Sequence, residues 1–188
     1  MRTWLIVLTI LALIATGSVA LADEEQKEAK AAEKRQQIDA VAKEALDALL
    51  ATSPNARKLY EKAYGYAVFD NLKIQFLISG GGGAGVAVDK ETDARTYMKM
   101  GTGGIGLGLG GQKYQVVFLF ESKKTFDNFV EKGWKAETSA QAAAGKAGAG
   151  GASNFTDGMA VYQMSDKGLM ASVDITGTKY WKNKKLND

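Results

Sequence analysis

Three hydrophobic periods follow one another along the chain. Trp4 to Ala15 is an apolar run, with a single positive charge at Arg2 before it and a Thr16-Gly17-Ser18 break after it. Ala20-Leu21-Ala22 is a small-x-small site, and Asp23-Glu24-Glu25 follows at once. This is the order of a secretory signal peptide, and the run is about half the ~20 residues that a spanning helix needs. Residues 1–22 are expected to be cleaved, and the rest exported to a periplasm or cell envelope. No cysteine follows the site, which excludes a lipoprotein anchor.

Between Asp23 and Thr52 the period is helical. Ile38, Val41, Ala42, Ala45, Leu46 and Leu49 form one apolar stripe, which predicts an amphipathic helical segment over 23–52. Ser53-Pro54 opens a second helix, with Ser53 as N-cap, Pro54 in the first turn and Ala56, Leu59, Tyr60 and Ala63 facing inward.

From Tyr66 onward the period falls to two. Tyr66–Phe69 is read as a short strand closed by Asp70-Asn71, and Ile74–Ile78 as a second run. Gly85–Val88 and Thr96–Met100 flank a polar hairpin loop at Asp89–Asp93, and Gln115–Phe120 (QVVFLF) is a buried strand. Ser122 caps a short helix carrying Phe126, Phe129 and Val130, and Gly133 stops it. Strands are expected at Asp157–Met164 and Leu169–Thr178, after an alanine-glycine tract. Helices precede strands, so the class is α+β, with N-terminal helices packed on a glycine-rich, mainly antiparallel sheet or barrel. Residues 53–188 form that domain.

Composition narrows the chemistry. The net charge of +3 falls to +2 without Arg2, which argues against nucleic acid as a partner. There is no cysteine and no histidine, which removes thiol and histidine catalysis and the commonest transition-metal ligands. Five methionines in strand-like segments read as core filling and not as a copper site. Asp89, Glu91 and Asp93 begin like a calcium loop, but Ala94 and Met100 stand where its glycine and glutamate belong. Asp70, Asp89 and Asp174 are the acids beside strands, and no spacing selects a pair for carboxylate catalysis. No catalytic residue, metal or cofactor is expected.

The glycines are the unusual feature. Gly80–Gly85 and Gly101–Gly106 both fit G-x-G-x-x-G, but strands and not helices follow, so the phosphate-cradle reading fails on context. Ile105, Leu107 and Leu109 alternate with Gly104, Gly106, Gly108 and Gly110. Period two leaves a bare glycine face, which implies close approach by another backbone or a ligand. The tail Lys179–Lys185 is basic and aromatic, a composition suited to an anionic lipid surface through Trp181, Lys182, Lys184 and Lys185.

The order of these elements resembles the SYLF-domain family of lipid-binding or actin-regulator-type domains. The matching residues are Ser53-Pro54, Lys62–Phe69, Ile78–Val86, Gly103–Gln112, Val116–Phe120, the Phe126/Phe129 helix and Lys167-Gly168-Leu169, about residues 53–178 in all. Asp70 stands where family members often have proline. The resemblance implies phospholipid binding, and with a signal peptide it implies a bacterial exported member. The expected function is a non-enzymatic phospholipid-binding protein of the periplasm or envelope. The alternative is an envelope interaction module that binds a protein partner through the N-terminal helix, with no lipid ligand.

Overall fold

The computed structural model describes residues 2–75, 79–104, 110–136, 152, 154–165, 168–170 and 177–188, with backbone only at 2–22, 72–75, 79–80, 104 and 110–112. Two compact units result, up to Gln36 and from Gln37 to Asp188.

Helix α1 spans Arg2–Thr52. In the first unit its charges pair along the surface, Lys27 with Asp23 at 2.6 Å and Arg35 with Glu28. In the second unit Ile38, Ala42, Ala45, Leu46 and Leu49 of the predicted stripe are buried, and Val41 is half-buried. Helix α2 spans Pro54–Lys62 and starts as expected: Ser53 Oγ accepts from Ala56 N at 3.2 Å. Lys90 closes its other end, its ammonium donating to the Tyr60 and Ala63 carbonyls at 2.5 and 2.9 Å. A cation at a helix C-terminus satisfies carbonyls that have no partner within the helix.

Eight strands follow: β1 (Gly65–Gln75), β2 (Ser79–Asp89), β3 (Arg95–Gly104), β4 (Gly110–Phe120), β5 (Trp134–Lys135), β6 (Met159–Ser165), β7 (Gly168–Leu169) and β8 (Thr178–Lys182). They form one curled antiparallel sheet, a half-barrel, in the order β5-β8-β3-β2-β1-β4-β6-β7. Helix α3 (Lys123–Lys132) lies between β4 and β5, capped by Ser122 and ended by Gly133 at φ 73°. Helix α4 (Lys184–Asn187) ends the chain.

Both faces of the sheet are packed against other elements, the second only in part. On one, Phe69, Phe118, Phe120, Met98, Met100 and Tyr180 pack against Phe126 and Phe129 of α3. Phe118 alone meets the rings of Phe69, Phe129, Trp134 and Tyr180 at centroid distances of 5.0 to 5.9 Å. Edge and tilted pairs of this kind add about 0.5–1.5 kcal/mol each beyond area burial. The opposite face, with Val68, Val86, Val88 and Tyr97, is turned towards α1 and α2: Tyr97 bonds Asp39, and Tyr60 meets Tyr66.

Two expectations about strands are corrected. Asp70-Asn71 does not close a strand, because β1 runs on to Gln75 and is paired with β2 and β4 at every residue. Ladder bonds on both sides outweigh the turn preference of Asp and Asn, whose side chains face opposite ways. Asn71 is buried, and Asp70 is exposed and accepts from Gln115 at 3.1 Å. The basic, aromatic tail, where the sequence pattern predicts no strand, forms one as well. Tyr180 is fully buried, and β8 lies between β3 and β5. The loop after β2 is the expected hairpin, closed by Asp89 N donating to Ala94 O at 3.0 Å.

Candidate functional site

Strand register brings together residues that lie far apart in sequence. Lys99 on β3 faces Trp181 on β8, Gly101 faces Lys179, and Lys179 faces Lys135 on β5. Met98, Met100, Tyr180 and Trp134 point into the aromatic core, so alternation places Lys99, Gly101, Lys179, Trp181 and Lys135 on the other face. Trp181 is 38% exposed, the one exposed large apolar side chain among the described residues. Its indole lies across bare backbone: a Cβ at Gly101 would sit 3.1 Å from Cη2. Gly82 pairs with Gly101, and Gly103 has nothing within 4 Å of where its Cβ would be. The result is a shallow glycine floor on β2 and β3, an indole lying beside it, and three exposed lysines around it.

Of the residues singled out from the sequence, Trp181 lies in this patch. Lys182 is on the opposite face, 3.8 Å from Glu131 of α3. Lys184 and Lys185 are exposed on α4. Gly104 closes β3 opposite Ser79 and Gly110 opens β4 opposite Gln75, so the ends of the glycine tract belong to strands separated by β2 and β1. Gly106 and Gly108 lie outside the described residues. The sequence offers Gly82 and Gly101 only within the two G-x-G-x-x-G tracts, and does not single out Lys99, Lys135 or Lys179. The alternation Met98-Lys99-Met100-Gly101 carried the signal for two of them.

Asp70 and Asp89, the two candidate acids among the described residues, lie too far apart to act as a carboxylate pair. Asp89 is buried, and accepts from the Tyr64 hydroxyl at 2.5 Å and from the Glu91 and Thr92 amides at 2.8 and 3.1 Å. The Tyr64 bond, with the loop amides, holds its carboxyl below the ordinary value. A carboxylate turned inward in this way caps the loop. Asp70 pairs with Ala84, five positions along β2 from Asp89, about 17 Å at the usual strand rise. That exceeds the separation of roughly 5–9.5 Å used by paired carboxylates. Asp174 lies outside the described residues.

Residues 101–188 match the family model Ysc84, described as Las17-binding protein actin regulator. This is a SYLF-type domain match. The resemblance seen in the order of elements is thus borne out, and the match takes in β4, α3, β6 and the Trp181 strand. The chain is also 44% identical over 158 residues to Beta cell expansion factor A of Aeromonas veronii, which covers 84% of this chain and 60% of that protein. The chain with its SYLF-type domain therefore spans about three-fifths of that relative's length.

Proposed function

We propose that this chain is a non-enzymatic phospholipid-binding protein of the bacterial periplasm or cell envelope, exported by cleavage after Ala22. The observation that carries the reading is the exposed Trp181 indole on a glycine floor, ringed by Lys99, Lys135 and Lys179. Indoles favour the membrane interface, and each basic residue near an anionic surface contributes about 1 kcal/mol. Lys99 and Lys179 supply about 2 kcal/mol, enough for reversible, salt-sensitive attachment. Lipid binding also agrees with the character of the SYLF family.

The test is co-sedimentation of the mature protein with phosphatidylglycerol-containing vesicles at low and high salt. Binding that weakens with salt supports the reading, and no binding at low salt overturns it. Sequencing the N-terminus of periplasmic protein tests export, with Asp23 expected first. A second reading, an envelope interaction module, rests on the family's description as a Las17-binding protein. Deleting 23–37 should then abolish capture of a partner and leave vesicle binding intact.

A further inference from the structure

Around Trp181 the two lysines of β3 and β8 stand open and without counter-ions. Lys99 lies opposite Trp181, and Lys179 lies opposite Gly101, so the lysines occupy one diagonal of a four-residue block and the indole and bare backbone the other. Diagonal neighbours are about 7–8 Å apart, within reach of long side chains. Both lysines are exposed, and neither has an ion-pair partner among the described residues. Two free ammoniums that can converge over an indole are a place for one anionic oxygen group, a phosphate above all.

The backbone beside the indole narrows the choice further. The glycines of this region are glycines for different reasons. On the core face a Cβ at Gly83 would collide with the Asp70 carbonyl, and one at Gly85 with the Val68 carbonyl. The neighbouring strand excludes a side chain at both. On the Trp181 face a Cβ at Gly82 would meet only Met100 O at 3.6 Å, and one at Gly103 would meet nothing within 4 Å. Both positions are exposed, and neither has a positive φ. A side chain fits at either, and a glycine weakens a strand, so the packing of this chain does not account for them. A group that lies close against the backbone does. Gly82 and Gly103 take part in the β2–β3 pairing, so the floor offers apolar contact and no charge.

We propose that this face holds a single anionic phospholipid, its phosphate between Lys99 and Lys179 and the first carbons of one acyl chain laid over Gly82 and Gly103 against the indole. The stretch from Gly101 to Gly103 is about 7 Å long, room for a few methylenes and not for a whole chain. A phosphate alone would use the lysines and leave the floor empty. An uncharged amphiphile would use the floor and leave the lysines unmet. The inference rests on the lipid-binding reading and deepens it. Adsorption to a membrane needs only the cations and the indole, whereas a bound lipid molecule also needs the bare floor.

The experiment is isothermal titration of the full mature chain, at low salt, with dihexanoyl-phosphatidylglycerol below its micelle concentration and with glycerol 3-phosphate. The lipid should bind one to one. The headgroup alone should bind about tenfold or more weakly, since burial of two methylenes already accounts for that factor. G103V puts a β-branched side chain into open space on a strand, so it should keep the wild-type melting temperature and lose lipid affinity about tenfold. G82V fills the other half of the floor and serves as the second variant. Neither should change the binding of glycerol 3-phosphate, whereas K99A with K179A should weaken both ligands alike. Equal binding of lipid and headgroup, full lipid affinity in both G82V and G103V, or no binding of the monomeric lipid would each overturn the inference. Salt-sensitive attachment of the wild type to phosphatidylglycerol vesicles survives those three results if only adsorption takes place. Loss of that attachment is instead the failure of the lipid-binding reading itself, which keeps the two distinguishable.

Discussion

The side-chain amide of Asn187 takes the place of a partner strand beside Tyr97. Its Oδ1 accepts from Tyr97 N at 2.9 Å, and its Nδ2 donates to Tyr97 O at 2.8 Å. Strand β8 pairs with β3 only from Met98 onward, so α4 extends the ladder by one residue through a side chain. Asn187→Ala removes both bonds to Tyr97 and the third that Nδ2 donates to Asn183 O at 2.7 Å, and leaves the Tyr97 amide without that acceptor. The expected loss is about 1–2 kcal/mol, or a melting point lower by ~2–8 °C for a chain of this size. Asn187→Asp keeps the acceptor and loses the donor, and should fall between the two in thermal unfolding.

Asp89 makes stability depend on pH. Its folded-state pKa is depressed below 3.8, first by the Tyr64 hydroxyl, with the loop amides adding to it. A depressed carboxyl contributes stability above its unfolded value, and that contribution disappears as pH falls through the folded value. Denaturant unfolding of the wild type should therefore lose stability steeply below about pH 4. Asp89→Asn should be less stable at pH 7 by about 1–2 kcal/mol, from weakened hydrogen bonds, and should show a shallower acid slope. An unchanged slope would mean that another carboxylate governs the acid limb.

Two glycines on adjacent strands should respond differently to one added methyl group. At Gly85 a Cβ would lie 2.3 Å from Val68 O and 2.5 Å from Phe69 Cδ1, a backbone and a core ring that cannot both retreat. Gly85→Ala should lose about 1–3 kcal/mol by overpacking. At Gly103 there is open space, and Gly103→Ala should stay within ~0.5 kcal/mol of the wild type. Urea midpoints of the two variants make the comparison.

The parts of the fold legible in sequence are those set by local chemistry. The caps at Ser53 and Ser122, the stop at Gly133, the α1 stripe and the QVVFLF strand each depend on neighbours within a few residues. What escaped depends on pairing at a distance. Asp70-Asn71 reads as a turn until β2 and β4 are laid on either side. Tyr180-Trp181 reads as a tail until β3 supplies the edge that accepts it. The candidate site suffers the same way. Trp181 stands out by type, but its partners Lys99 and Gly101 lie some eighty positions earlier and are joined to it only by register.

The buried tyrosines divide by whether the hydroxyl has a partner. Tyr162 donates to Ala152 O at 2.8 Å, and burial pushes its pKa up to about 12. Tyr180 is fully buried, its hydroxyl has no partner, and burial with nearby Tyr114 raises its pKa well above 10.0. Tyr162→Phe should cost about 1 kcal/mol, and Tyr180→Phe should be neutral or stabilising. For both groups the folded pKa lies above the unfolded one, so their contribution is whole below about pH 10; that of Tyr162 is lost as pH rises towards 12, and that of Tyr180 as pH rises well above 10.0. Absorbance titration at alkaline pH should show these two ionising together with unfolding, after the exposed tyrosines.

The register that separates Lys182 from Trp181 predicts which cations hold a membrane. Lys99 and Lys179 share the face of Trp181, whereas Lys182 points to the α3 side near Glu131. Removing Lys99 and Lys179 together should lose about 2 kcal/mol of vesicle affinity, roughly thirtyfold, at low salt. Lys182→Ala should lose under ~1 kcal/mol, because its charge acts from the far side of the sheet. Trp181→Ala should weaken binding at all salt concentrations, since insertion of an indole is not screened as an ion contact is. Partition measurements on phosphatidylglycerol-containing vesicles at two salt concentrations separate the cases. If Lys182→Ala matched the double variant, net charge and not this face would govern attachment.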